Sequence, residues 1–207
     1  MKYEVILFDL WGTLVDFRLP ELEALAKKAR REIGDERWEI VRQHFNAWHR
    51  KDIDHKGFMQ QLLSEVNLNN NEAELVEAWI AYGGFKLFPE TIEVLSWLKE
   101  NNFKLGLVSN SPQSTMQHFK DFGLDTFFDE LSFSFELGFM KPEKEIFQDA
   151  LRKLEIKPSQ ALMIGDSLDK DVEAAEAVGI DGLLIDRDDT YDYEKKILNL
   201  LELKDLL

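Results

Sequence analysis

The chain contains no cysteine, which removes disulfides, cysteine-ligated zinc, iron–sulfur clusters and thiol catalysis together. Long hydrophobic runs are missing too: the uninterrupted apolar stretches are only a few residues long, far below the roughly 20 residues that cross a bilayer. The N-terminal stretch MKYEVILFDLW has no basic start, extended apolar segment or small-residue cleavage site, so a cytoplasmic location and no membrane partner are expected. Positive charge is outnumbered by negative. With 25 Lys and Arg against 40 Asp and Glu, the net charge is −15, which argues against a nucleic-acid partner because phosphate backbones are held mainly by Lys and Arg. No internal repeat is evident, and the polar run NLNNN at residues 67–71 reads as a turn.

What is present suits a folded, soluble protein. Hydrophobic residues make up 44% of the chain and charged residues 31%, a balance that argues against disorder. The length allows one large domain, or a domain with a sizeable insertion. Short apolar runs bounded by polar residues predict strands at residues 4–8 (EVILF), 104–109 (KLGLVS), 161–165 (ALMIG) and 182–185 (GLLI), with a weaker one at 131–135. Helical spacing falls between them: Ile92, Leu95 and Leu98; Met116, Phe119 and Phe122; Ile146, Phe147, Ala150 and Leu154; Val172, Ala175 and Val178, with Gly179 as the stop. This alternation predicts an α/β fold, a Rossmann-like parallel sheet covered by helices on both faces. Ile197, Leu200, Leu201 and Leu203 suggest a final helix docked on the sheet.

Residues 19–85 break the rhythm. Four consecutive amphipathic patterns, around Leu22 to Ile33, Trp38 to Trp48, Phe58 to Val66 and Leu75 to Tyr82, have no strand between them. They predict a small α-helical bundle inserted after the first strand, with its aromatic residues used mainly for packing. Whether its apolar faces also meet a second subunit is not readable from spacing, so the oligomeric state stays open.

In an open parallel sheet, ligands collect beyond the carboxyl ends of the strands. The residues at those positions are Asp9, then Ser109 and Asn110, then Lys141, then Asp166, with Asp171 five residues further on. Taken singly, each has an ordinary explanation as a turn, a cap or a surface residue. Taken together they supply an anionic nucleophile, a hydroxyl, an ammonium and more carboxylates. Asp9 and Asp166 at neighbouring strand ends would repel unless a cation sat between them, and hard oxygen ligands suggest magnesium.

FDLWGTL at residues 8–14, VSNS at 108–111, MKPEKEIF at 140–147 and MIGDSLDKDVEAAEAVG at 163–179 resemble, in order and spacing, the four motifs of the haloacid dehalogenase (HAD) superfamily. The resemblance implies a HAD-like core from residues 1–17 and 87–207, with residues 18–86 as a helical cap domain. It implies that Asp9 attacks the substrate and becomes an aspartyl phosphate in a phosphatase, or an aspartyl ester in a dehalogenase. Lys141 would share the catalytic work, and Leu10, Trp11, Ser109, Asn110 and Lys141 would surround the substrate or its phosphate. Asp9, the Trp11 backbone carbonyl and Asp166 would ligate Mg2+, while Asp171 would orient a metal-bound water. Thr13 would shape the turn after Asp9.

Trp11 departs from the phosphatase pattern. The family's phosphatases carry a second aspartate there to protonate the leaving oxygen, and an indole N–H does not titrate in water. Acid–base assistance of this kind is typically worth about 10² to 10⁴ in rate, roughly 3 to 5 kcal/mol of barrier. The family's L-2-haloacid dehalogenases also carry an aromatic residue here, because halide leaves without a proton, but their fourth motif lacks the acidic pair of GDSLDKD. Arg42 is the nearest match in residues 18–86 to their substrate-carboxylate arginine. Three readings follow. The first is a magnesium-dependent phosphohydrolase that either uses good leaving groups or borrows an acid from His44, His49 or His55. The second is a haloacid dehalogenase, and the third a catalytically weak phosphate-site binding or regulatory protein. The expected partner is a small molecule, a phosphorylated metabolite or a haloacid.

Overall fold

The run VILF forms the central strand β1 (Val5–Phe8), and all four of its side chains are fully buried. In the computed structural model, which describes residues 2–207, seven more strands follow. They are β2 (Val15–Asp16), β3 (Lys86–Leu87), β4 (Lys104–Ser109), β5 (Glu130–Phe133), β6 (Ala161–Gly165), β7 (Asp181–Ile185) and β8 (Lys196–Ile197). Six of these eight strands form one sheet in the order β5-β4-β1-β6-β7-β8, with every neighbouring pair parallel. The chain leaves β1 to build one half of the sheet and returns to build the other. The crevice beyond the carboxyl end of β1 is therefore the switch point at which such sheets bind ligands.

Between β2 and β3 lie four helices, α1 (Pro20–Ile33), α2 (Asp35–Trp48), α3 (His55–Glu65) and α4 (Asn70–Ile80). Local chemistry sets their ends. Pro20 begins α1, Gly34 separates α1 from α2, and the Asp54 side chain accepts from Gly57 N at the start of α3. Asn69 and Glu72 cap each other reciprocally at the start of α4, inside the polar run that reads as a turn. Their apolar faces meet in a cluster that includes Ala29, Trp38, Val41, Trp48, Phe58, Leu62 and Val76. The short antiparallel pair β2–β3 closes the base of this helical unit, Val15 pairing with Leu87 and Asp16 with Lys86.

Alternate strand residues face opposite sides of the sheet, and each side is covered. Ile6, Phe8, Leu105, Leu107 and Ile164 pack with Leu95 and Leu98 of α5 (Thr91–Glu100) and Phe119 of α6 (Thr115–Asp121). The chain then passes through α7 (Ser134–Leu137). Val5, Leu7, Val108 and Met163 pack with Ile146, Phe147 and Ala150 of α8 (Lys144–Leu154) and Ala175 of α9 (Ala174–Ala177). Leu203 of α10 (Leu203–Leu206) closes the first layer.

Two sequence expectations are corrected. The strand expected at residues 131–135 ends at Phe133, where the chain turns into α7. Ile197 belongs to the sixth parallel strand, β8, and not to the final helix; a two-residue strand carries no periodicity to read. No helix among the described residues is long and apolar enough to cross a membrane.

Candidate active site

β1 ends at Phe8, and the next residue, Asp9, is 5% exposed. Its backbone N–H donates to Ile164 O of β6 at 2.9 Å, which fixes the carboxylate at the switch point. The chain then turns through Gly12, whose φ is +81°. A Cβ at this position would lie 2.1 Å from Asp166 Oδ2. Glycine is thus required twice here, for the left-handed backbone and for the close approach of Asp166. At the end of β6 a Cβ on Gly165 would meet the Asp171 carboxylate at 2.3 Å.

Lys141 lies between two of these acids. Its Nζ is 2.5 Å from Asp9 Oδ1 and 2.5 Å from Asp171 Oδ1, and all three side chains are buried. Asn110 holds the lysine in place from its backbone: Asn110 Nδ2 donates to Lys141 O at 2.9 Å, and Lys141 N donates to Asn110 Oδ1 at 2.7 Å. Asp171 uses its other oxygen, Oδ2, to accept from Ser167 N at 3.0 Å. This contact belongs to a π-helical turn over residues Leu168–Glu173, which swings Asp171 back toward the end of β6. Among the described residues, Asp9 Oδ2 has no protein hydrogen-bond donor.

Asp9, Asp166 and Asp171 each present an oxygen, and the three atoms lie within 4.8 Å of one another. Three carboxylates around one ammonium leave an excess of negative charge in a buried place. Burial is the largest influence on Asp9; with Asp171 and Asp166 repelling and Lys141 attracting, its carboxyl is pushed up to about 7. Burial, followed by Asp171, pushes Asp166 up to about 6. Burial alone would lower Lys141, but Asp171 and Asp9 outweigh it and hold the ammonium above its usual range. An all-oxygen donor set with surplus negative charge suits a hard divalent cation.

The Trp11 indole N–H is engaged by a serine. Trp11 Nε1 donates to Ser111 Oγ at 2.9 Å, and Ser111 Oγ lies 2.8 Å from Ser109 Oγ. Both serines are fully buried. Because an indole can only donate, Ser111 accepts there. In the Ser109–Ser111 contact either hydroxyl can donate. The Leu10 side chain is buried, and its carbonyl accepts from Leu14 N and Val15 N at 2.9 Å each. Thr13 is fully buried and its hydroxyl has no partner among the described residues.

A cavity of about 750 Å³ opens from these groups toward the helical unit, lined by Asp9, Trp11, Asn110, Lys141, Asp166 and Asp171 on one side. Phe45 and Trp48 of α2, His49 just past its end, Trp79 of α4 and then Tyr82 and Phe85 line the other. The aromatic residues of residues 18–86 therefore divide: Trp38 and Phe58 serve the bundle core, while Phe45 and Trp79 form its edge and also face the cavity. Of the three histidines considered from the sequence, only His49 lines the cavity. Among the described residues its buried Nε2 has no partner, and burial lowers its pKa to about 4. His44 is engaged with Glu65 at 2.5 Å, and His55 stands 3.7 Å from Glu77. Arg42 is exposed and pairs with Glu39 at 3.3 Å, outside the cavity.

Sequence reasoning passed over His118, Lys170, Ser111 and Arg187. His118 and Lys170 line the cavity. Ser111 lay in view inside VSNS. Arg187 follows the end of β7, so extending the strand-end rule by one strand would have found it. Its guanidinium donates to Thr13 O at 2.8 Å, pairs with Glu90 at 2.6 Å and covers the Phe88 ring at 3.5 Å from the centroid. That arginine braces the turn following Asp9.

The haloacid dehalogenase-like hydrolase family matches residues 3–179. A glyceraldehyde 3-phosphate phosphatase from Methanothermobacter thermautotrophicus is 28% identical over 177 residues, covering 84% of this chain and 74% of its own length. A HAD phosphatase structure from Thermococcus onnurineus aligns with a TM-score of 0.73 at 28% identity, covering 98% of this chain and 97% of that one. A 2-haloacid dehalogenase structure from Pseudomonas syringae aligns with a TM-score of 0.74 at 23% identity, over 99% and 97% of the two chains, and shares the fold.

Proposed function

The chain belongs to the haloacid dehalogenase-like hydrolases, and from that premise we propose that it is a magnesium-dependent phosphohydrolase acting through an aspartyl phosphate on Asp9. The single observation that carries this reading is the buried cluster in which Lys141 bridges Asp9 and Asp171 at 2.5 Å each, with Asp166 alongside. In this proposal residues 18–86 act as a cap domain over a core of residues 1–17 and 87–207. The aligned glyceraldehyde 3-phosphate phosphatase and HAD phosphatase support the reaction class.

Asp9 uses Oδ2 to attack phosphorus, since Oδ1 is held by Lys141. Lys141 stays charged and neutralises Asp9 together with the incoming phosphoryl oxygens. Leu10, Trp11, Ser109 and Asn110 would frame the phosphate, with the Ser109 hydroxyl steadied by its contact with Ser111 Oγ at 2.8 Å. Asp9, Asp166 and the Trp11 backbone carbonyl would hold Mg2+. Asp171, with both oxygens already engaged, would act through water. When bound, the ion would supply charge neutralisation on the transferring phosphoryl group.

Dehalogenation has less support. The cavity lining includes no arginine to receive a haloacid carboxylate, and the fourth motif keeps the acidic pair Asp166 and Asp171 expected of a magnesium enzyme. The decisive assay is phosphate release from a panel of phosphate esters with and without Mg2+, using Asp9→Asn as the control. Mg2+-dependent release that vanishes in Asp9→Asn supports the proposal. Metal-independent chloride release from 2-chloropropionate would overturn it in favour of dehalogenation, and tight phosphate binding without turnover would favour a binding protein.

A further inference from the structure

We infer that the substrate of this site is an aryl phosphate: a monoester whose leaving group is flat, uncharged and able to depart without a proton. This rests on the phosphohydrolase reading and narrows it. Three features converge on that chemistry.

The first is the missing donor. The Trp11 N–H is committed to Ser111 at 2.9 Å, and the ring is held edge-to-face against Phe85 at 4.8 Å between centroids. It has nothing to give to a leaving oxygen. His49, just past the end of α2, is kept neutral by burial at ordinary pH, and the cavity's other histidine, His118, packs edge-on against Phe85 at 5.4 Å. A leaving group that needs no acid is one whose oxyanion is stable. A phenol ionises near pH 10, as tyrosine does, whereas an alkoxide is about as basic as hydroxide, whose conjugate acid has a pKa of about 15.7.

The second is the wall facing Asp9. Phe45 and Trp79 lie 4.8 Å apart, and Tyr82 meets Phe85 edge-on at 5.4 Å. With Trp11 they surround the space into which a leaving group would project. Rings held in such contact offer faces and edges to another ring at little entropic cost.

The third is charge. The permanent cations lining the cavity are Lys141, already bound to two acids, and Lys170, which is exposed at the mouth. Arg18, whose charge reaches Asp166, is exposed and pairs with Asp188. The helical wall offers no permanent cation to a second carboxylate or phosphate, so a leaving group that carried one would be buried against aromatic faces without a partner.

The chemistry balances without an acid. Asp9 Oδ2 forms a bond to phosphorus as the bond from phosphorus to the aryl oxygen breaks, and the aryl oxygen departs with the electron pair as an aryloxide. Water oxygen then attacks phosphorus and the bond to Asp9 breaks. The carboxylate is regenerated, phosphate is released, and the water proton passes to solvent.

The test compares phenyl phosphate with glycerol 2-phosphate, acetyl phosphate and 2-phosphoglycolate, all with Mg2+ and with Asp9→Asn as the control. Phenyl phosphate is expected to exceed glycerol 2-phosphate in kcat/KM by about 100-fold or more, the scale of the missing acid. Acetyl phosphate, which leaves as easily but has no ring, is expected to show a higher KM than phenyl phosphate, and Trp79→Ala should erase that difference. In the wild-type protein, phenylphosphonate should inhibit about 10-fold more tightly than methylphosphonate, the worth of one aromatic contact. This second measurement does not depend on a variant that folds. Equal turnover of phenyl phosphate and glycerol 2-phosphate, a preference for 2-phosphoglycolate, or equal inhibition by the two phosphonates would overturn the inference while leaving an Asp9-dependent phosphohydrolase intact. Failure of every ester to release phosphate through Asp9 would overturn the phosphohydrolase reading and the inference with it.

Discussion

Trp11 and Ser111 stand 100 positions apart, and the indole of one donates to the hydroxyl of the other at 2.9 Å. The position that would carry a proton donor thus serves to anchor the loop after β4. Replacing the ring by a carboxyl group, Trp11→Asp, should restore acid–base assistance. The expected result is a gain of about 10² to 10⁴ in kcat/KM for alkyl phosphates, measured as phosphate release, with little gain for phenyl phosphate. A Trp11→Asp protein that folds and shows no gain would mean that another group already supplies the proton.

The same contact has a structural side. Ser111→Ala leaves the Trp11 N–H and the Ser109 hydroxyl without their mutual partner in a buried region. Leaving buried polar groups unpaired costs about 1 to 3 kcal/mol, so urea unfolding should show a loss of that order. A loss near zero would show that water replaces Ser111.

Arg187, partly buried, pairs with buried Glu90 and also holds the Thr13 carbonyl. Removing one member strands the other in low dielectric. Arg187→Ala is expected to destabilise the fold by about 3 to 5 kcal/mol, read from denaturant midpoints. Because the guanidinium braces the turn after Asp9, turnover should fall more steeply than the folded fraction does.

Metal binding can be followed without turnover. Adding Mg2+ to protein stripped with a chelator should raise the thermal midpoint, with about 2.7 kcal/mol of stabilisation at a hundred times Kd. Asp166→Asn is expected to abolish that shift, because the variant loses a carboxylate of the cluster at the end of β6. A full shift retained in Asp166→Asn would place the ion elsewhere.

Asp186, next to Arg187, gives a pH signature away from the cluster. Burial alone would raise its pKa, but the backbone N–H groups of Thr190 and Tyr191, with Lys196, outweigh it and hold the carboxyl down at about 2. The unfolded value is about 3.9. A carboxyl depressed in the folded state stabilises it fully above the unfolded pKa and loses that contribution as pH falls through the folded one. The stability gap between wild type and Asp186→Asn should therefore be constant above about pH 4 and shrink as the pH drops toward 2. A gap independent of pH would refute the assignment.

Much of this molecule is legible along the chain. Apolar runs of strand length, alternating with helical spacing, determine the parallel sheet, because each segment must bury its own periodic face whatever its neighbours are. Asp9 and Asp166 could be picked out because each directly follows the end of a strand, whereas Lys141 lies beyond α7 and Asp171 inside a π-helical turn. Where periodicity was too short to register, reading failed: β2, β3 and β8 have two residues each. The same holds for the end of β5, where strand and helix meet without a breaker.

Folding alone decided the partners. The indole of Trp11 is used up by a serine 100 residues away, and only one of three candidate histidines reaches the cavity. Arg42 remains outside, and the aromatic edge of the bundle comes to lie across from Asp9. None of these follows from local spacing, because each depends on how the inserted helices sit over the sheet. That placement is set by side-chain packing summed over both surfaces and has no counterpart in the order of residues along the chain.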